Sequence, residues 1–202
     1  MARLGGLKAV IRRKKPAYQY HYAENVEDNI LSRDFHAEHA NEKWLTDVTE
    51  MKYGDGEKLF LSAILDLGNN SVVTYTIGTR NNNALVFDTF DKAIKLHPEA
   101  TPLVHSDRGF QYTSKIFQAK LEAQGMTQSM FRPGKCIDNG PMEGFWGILK
   151  AEMYHLHIFD DYDSLRQAIE DYIYFYNYKR RQKKLGNLSP MEYEQRKTGT
   201  FV

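Results

Sequence analysis

The chain has 202 residues, of which 42% are hydrophobic and 13% aromatic, and a net charge of +1. That is enough apolar material for the core of one large domain, or a domain with an appendage, and it excludes a disordered chain. One cysteine and no run of eighteen apolar residues exclude an internal disulfide framework and a membrane-spanning helix, so a reducing cytoplasm without membrane attachment is the expected setting.

Residues 1–40 are polar and weakly periodic, and read as a basic N-terminal arm ahead of a domain over 41–202. The arm lacks the apolar stretch of a secretory signal. It carries Arg3, Lys8, Arg12, Arg13, Lys14 and Lys15 with no acid among them, and Lys179, Arg180, Arg181, Lys183 and Lys184 cluster near the other end. Setting these eleven aside leaves 16 basic residues against 26 acidic ones. Basic ends around an acidic middle suit a protein that grips a polyanion and gathers cations among carboxylates; for either run alone, solubilising surface charge is the plainer account.

From Trp44 the pattern sharpens. WLTDVTEM (44–51) alternates as a strand, Gly54-Asp55-Gly56 turns, and KLFLSAILDL (58–67) and SVVTYTIG (71–78) complete an antiparallel meander. Asn81-Asn82-Asn83 caps a helix whose Leu85, Val86, Phe90, Ala93 and Ile94 recur at helical spacing. A fourth strand runs through Pro102-Leu103-Val104 into His105-Ser106-Asp107. Thr113 is read as the cap of a helix reaching Gln124, with Gly125 as its left-handed terminator. TQSMF (127–131) is a fifth strand. A loop, RPGKCIDNG, then leads to a helix opening at Pro141, and Asp163 is read as the cap of a last long helix. The order β-β-β-α-β-α-β-α-α predicts an α/β fold with a mixed sheet flanked by helices.

Three acids stand out in this frame. Asp47 sits inside the first strand, between Leu45 and Val48, where aspartate is disfavoured. Asp107 ends the fourth strand, and Glu143 opens the helix after Pro141, with 35 residues between the two. Brought together, three carboxylates repel unless cations bind among them, and oxygen-only ligation suits Mg²⁺ or Mn²⁺ rather than zinc. Lys150 follows Glu143 by two helical turns on one face, where it would meet a phosphate. Gly144 and Gly147 weaken that helix by about 1 kcal/mol each relative to alanine, which close approach of a strand or of DNA would justify. Asp138 reads as a cap for the same helix, Asp66 as a turn residue, and His105 as a secondary contact on the face of Asp107. His36 and His39 lack the partners of a zinc site. The aromatic run Tyr172, Tyr174, Phe175, Tyr176 and Tyr178 reads as helix packing rather than a base-stacking platform.

WLTDVTEMKY, HSDRGFQYTS and SMFRPGKCIDNGPMEGFWGILKAEMYH together resemble the catalytic core of DDE-type insertion-sequence transposases. The specific group is read from two overlapping frames and has a core similar to retroviral integrases. YNYKRRQKKLGNLSPMEY resembles that family's usual terminus, and MARLGGLKAVIRRKK the tail of its upstream helix-turn-helix region. The resemblance implies a ribonuclease-H-like fold and two Mg²⁺ (or Mn²⁺) ions held by Asp47, Asp107 and Glu143. It also implies strand cleavage and strand transfer on transposon-end and target DNA, by a homo-oligomer in the nucleoid of a bacterial-type cell. Lys150, Arg12, Arg13, Lys14, Lys15, Arg180 and Arg181 are then the expected DNA contacts. Gly144 and Phe131 stand where the family typically has serine. A plain nuclease of the same fold and a non-catalytic DNA-binding remnant are the rival readings.

Overall fold

Trp44 and Leu45 are neighbours on one strand, and each is fully buried in a different core. This follows from the period of two along a strand with helices on both faces. The computed structural model describes residues 26–131 and 136–199. Its strands are β1 (Lys43–Tyr53), β2 (Glu57–Asp66), β3 (Val72–Gly78), β4 (Leu103–Ser106) and β5 (Thr127–Met130). They form one sheet in the order β3-β2-β1-β4-β5, antiparallel across β3-β2-β1 and parallel across β1-β4-β5. The helices are α1 (Asn83–Leu96), α2 (Lys115–Ala123), α3 (Gly140–Glu152), α4 (Tyr162–Tyr178) and α5 (Pro190–Thr198). The expected order holds, with α5 added.

On one face Leu45, Leu61, Ala63 and Leu65 pack against Met142, Phe145 and Leu149 of α3 and Leu165, Ile169 and Ile173 of α4. On the other, Trp44, Ile64 and Val104 pack against Val86 and Phe90 of α1 and Phe117 and Leu121 of α2. Two caps fall differently from expectation. The side chain of Ser114, not Thr113, accepts from the Phe117 amide, and that of Asp161, not Asp163, accepts from the Ser164 amide. In each case the residue that caps is the one whose oxygen reaches the third helical amide. Asn82 caps α1, and Gly125 takes a φ of +65°, both as read from the sequence.

The described part of the expected arm is laid on the domain rather than standing off it. Leu31 is 2% exposed in the α3/α4 core, the Leu31 amide donates to Ser129 Oγ, and the Met130 amide donates to the Asp28 carbonyl. Residues 28–31 thus cover part of the outer edge of β5. Asp66 pins the entry to β1. Its carboxylate accepts from the amides of Asn41 and Gly68 and from the indole of Trp44, and burial pushes its pKa up. The other outer edge, β3, is closed by side chains. The Asn177 amide both donates to the Val72 carbonyl and accepts from the Val72 N–H, and Lys92 Nζ donates to the Tyr75 carbonyl. An edge strand with its backbone groups engaged is a poor template for another strand.

Candidate active site

The parallel pairing of β1 with β4 sets Leu45 opposite His105, so two residues further along Asp47 stands beside Asp107. Both share the face of Leu45, the face on which α3 packs. Across β1 from Asp47 lies Ala63 of β2, whose small side chain leaves room above the sheet. Glu143 occupies the exposed first turn of α3, after Pro141 in the opening turn of the helix. Asp47 and Asp107 therefore stand side by side on one sheet face, and Glu143 is near enough for its charge to reach Asp47.

The electrostatics carry the mark of that crowding. Burial pushes the half-buried Asp47 carboxyl up to about 7, the charge of Asp107 adds to the rise, and Glu143 contributes less. Two donors oppose it: the Val48 amide at 2.8 Å on Oδ1 and the Trp146 indole N–H at 3.1 Å on Oδ2. Asp107 is also pushed up by burial, against the Gly109 amide that donates to its Oδ1 at 2.8 Å. Beneath the pair lies Tyr112, fully buried, with its hydroxyl 3.2 Å from Thr46 Oγ1. Its pKa rises through burial first and then through the charges of Asp107 and Asp47.

Among the described residues, no three histidine, cysteine or carboxylate side chains stand close enough to enclose a metal ion. The donor set nevertheless suits a hard divalent ion: carboxylate oxygens only, on a sheet end and a helix turn. The nearest histidine along β4 does not compete. His105 is buried, with Nδ1 2.9 Å from Ser129 Oγ and Nε2 3.1 Å from the Asp138 carbonyl, so both ring nitrogens face inward and away from the secondary contact expected of it. Burial lowers its pKa, which keeps the ring neutral.

Other expected residues separate. Asp138 does not cap α3; Asn139 takes that position without a side-chain bond. Buried Asp138 instead accepts from Arg33 Nε at 2.6 Å and from Asn29 Nδ2 at 3.1 Å, tying the arm to the site's floor. Arg180 is held by Glu152 through two hydrogen bonds, and Glu152 also accepts from the Tyr172 hydroxyl, so this arginine braces α4 against α3. Arg181 is exposed and Lys150 partly so. Arg12, Arg13, Lys14 and Lys15 lie outside the described residues. Gly144 and Gly147 are exposed, and a Cβ added at either would meet nothing, so no strand approaches them among the described residues. Phe131 packs its ring over His105 at 5.2 Å between centroids. The aromatic run of α4 splits: Tyr172 and Tyr176 are buried, whereas Tyr174, Phe175 and Tyr178 are exposed. Trp146 is the residue that sequence reasoning passed over; its only signal is a position one turn after Glu143.

Comparison with known proteins bears on the family and the fold. Two patterns, both described as integrase core domain, match residues 37–136 and 143–197. The chain is 42% identical over 190 residues to the putative transposase InsK for insertion sequence element IS150 of Escherichia coli, covering 93% of this chain and 66% of that protein. It is 40% identical to an uncharacterized transposase-like protein of Haemophilus influenzae, covering 93% and 87%. Among solved structures, the HTLV-2 integrase catalytic core in complex with magnesium superposes with a TM-score of 0.62 at 21% identity, covering 77% of this chain and 97% of that one. The catalytic core domain of BIV integrase gives 0.60 at 18% identity, covering 79% of this chain and 97% of that one. These likenesses assign the ribonuclease-H-like fold. The chain spans 66% of the IS150 relative's length.

Proposed function

The chain belongs to the insertion-sequence transposases with an integrase core domain, and from that membership we propose that it cuts and joins DNA at the ends of a mobile element through Asp47, Asp107 and Glu143. The observation that carries the reading is the Asp47 carboxyl, pushed up to about 7 by burial and by the neighbouring charges of Asp107 and Glu143. A carboxylate raised by burial and by like charges is relieved by a bound cation.

When bound, Mg²⁺ or Mn²⁺, two per site, supplies charge neutralisation on the reacting phosphodiester and lowers the pKa of the attacking water. Asp47 and Asp107 offer their oxygens from the rigid sheet, and Glu143 offers its own from the exposed turn of α3. In cleavage, the water oxygen bonds to phosphorus, the P–O3′ bond breaks, and the 3′ oxygen leaves as a hydroxyl. In joining, that hydroxyl bonds to a target phosphorus and displaces the target's own 3′ oxygen. No serine, tyrosine or cysteine serves as nucleophile. Lys150 and Arg181 neutralise phosphates on either side. Two ends must be held together for joining, so the working form is a homo-oligomer on DNA, in the compartment that holds the chromosome.

The test uses a labelled duplex ending in the element's terminal repeat, incubated with the chain and with Mg²⁺, Mn²⁺ or excess chelator. Nicked and joined products with either ion, and none in chelator, are expected. Robust cleavage in chelator overturns the reading.

A further inference from the structure

The Asp47 carboxylate is fixed by two donors from two different elements. The Val48 amide, on its own strand, holds Oδ1 at 2.8 Å, and the Trp146 indole, on α3, holds Oδ2 at 3.1 Å. One donor alone would leave the carboxylate plane free to turn; two set both its tilt and its rotamer. Each oxygen still has a lone pair to offer elsewhere. Trp146 lies three residues after Glu143, and so one turn along the same helix. It is 7% exposed and wedged against Phe145 at 4.9 Å between centroids, so the indole itself has little freedom. Its N–H is the one link among the described hydrogen bonds that joins the helix of Glu143 to the side chain of Asp47.

We infer that Trp146 is a positioning residue, whose indole N–H orients the Asp47 carboxylate and sets the distance between the acid on β1 and the acid on α3. Packing alone accounts for the ring of Trp146 but not for its edge, since any large apolar side chain fills the same volume without a donor aimed at a carboxylate. A tilt of the carboxylate matters because Mg²⁺ demands near-ideal octahedral geometry. Donors that orient ligands from outside the ligand set contribute about ten- to a hundredfold in metal affinity where they have been removed. The inference rests on the reading of Asp47 as a metal ligand.

The experiment replaces Trp146, by site-specific incorporation, with the tryptophan analogue in which sulfur stands for the indole N–H. A second variant, Trp146→Phe, keeps an aromatic ring. Mn²⁺ binding to the full chain is measured by calorimetry, and end cleavage is measured separately for kcat and KM. The N–H-less analogue is expected to bind Mn²⁺ about tenfold or more weakly, with the melting temperature nearly unchanged and the loss in kcat rather than in KM for DNA. Trp146→Phe should lose as much affinity and some stability besides. Wild-type Mn²⁺ affinity in the analogue overturns the positioning role and leaves the metal reading standing. Equal Mn²⁺ uptake by wild type and Asp47→Asn overturns both.

Discussion

Asp47 is a residue that weakens the fold it serves. In the metal-free chain its pKa lies at about 7 against 3.8 for the free side chain. Between those values the native state holds a proton that the unfolded state has released, so stability falls as pH rises through the window and levels off above it. From pH 5 to a pKa of about 7 is two units, worth roughly 3 kcal/mol at about 1.4 kcal/mol each. Asp47→Asn removes that titration. The amide turns one oxygen into a donor facing either the Val48 or the Trp146 N–H, at a cost of about 1–3 kcal/mol, but this cost does not depend on pH. The variant should therefore gain on the wild type by roughly 3 kcal/mol between pH 5 and pH 8, or about 6–12 °C in melting temperature for a chain of this size. The assay is thermal unfolding of both chains in excess chelator at the two pH values. Mg²⁺ added at pH 8 should raise the wild type and leave the variant unmoved. An equal difference between the two chains at both pH values refutes the argument.

Three further outcomes follow from the same contacts. Arg181→Ala and Lys150→Ala should each lower the slope of log K against log salt for duplex binding by about one unit, whereas Arg180→Ala should leave the slope unchanged and cost about 1 kcal/mol of stability through its loss from Glu152; salt titrations and melting curves separate the two. Arg33→Ala should destabilise by about 1–3 kcal/mol, because buried Asp138 loses a charged donor; urea unfolding measures it. Asn177→Ala should cost about 1–2 kcal/mol and open β3 to strand pairing, which sedimentation reads as concentration-dependent self-association.

The sequence was most legible where periodicity and chemistry agreed. Alternation through WLTDVTEM and the helical spacing after Asn82 reported the layers, because burial on two faces leaves a pattern in the residues themselves. Asp47 drew attention for a different reason: an aspartate inside a strand breaks the local rule, and such breaks concentrate at working sites. Where candidates of equal chemistry stood one or two residues apart, as with Thr113 beside Ser114 and Asp161 near Asp163, only the backbone path decided which oxygen met the helix amide. Helix α5 went unread because its residues are polar nearly all round, with Pro190 its buried one. Its signal was the capping box of Ser189 and Glu192, in which each side chain meets the other's backbone N–H. His105 was placed on the correct face, but the turn of its ring toward Ser129 and Asp138 depends on partners 24 and 33 residues away. Spacing along one strand carries no information about them. Trp146 shows the same limit, since a tryptophan in an amphipathic helix reads as core until its N–H is seen to end on a carboxylate.

The central claim is that Asp47, Asp107 and Glu143 act together on DNA, and strand joining by three single variants tests it most directly. Asp47→Asn, Asp107→Asn and Glu143→Gln each keep the shape of the side chain and remove its charge. With Mg²⁺ and a pre-cut end bearing a free 3′-hydroxyl, wild type should join that end to target duplex. Each variant should bind the same DNA and join none of it. Joining at near wild-type rate by any one of them contradicts the assignment of that residue, and joining by all three contradicts the account.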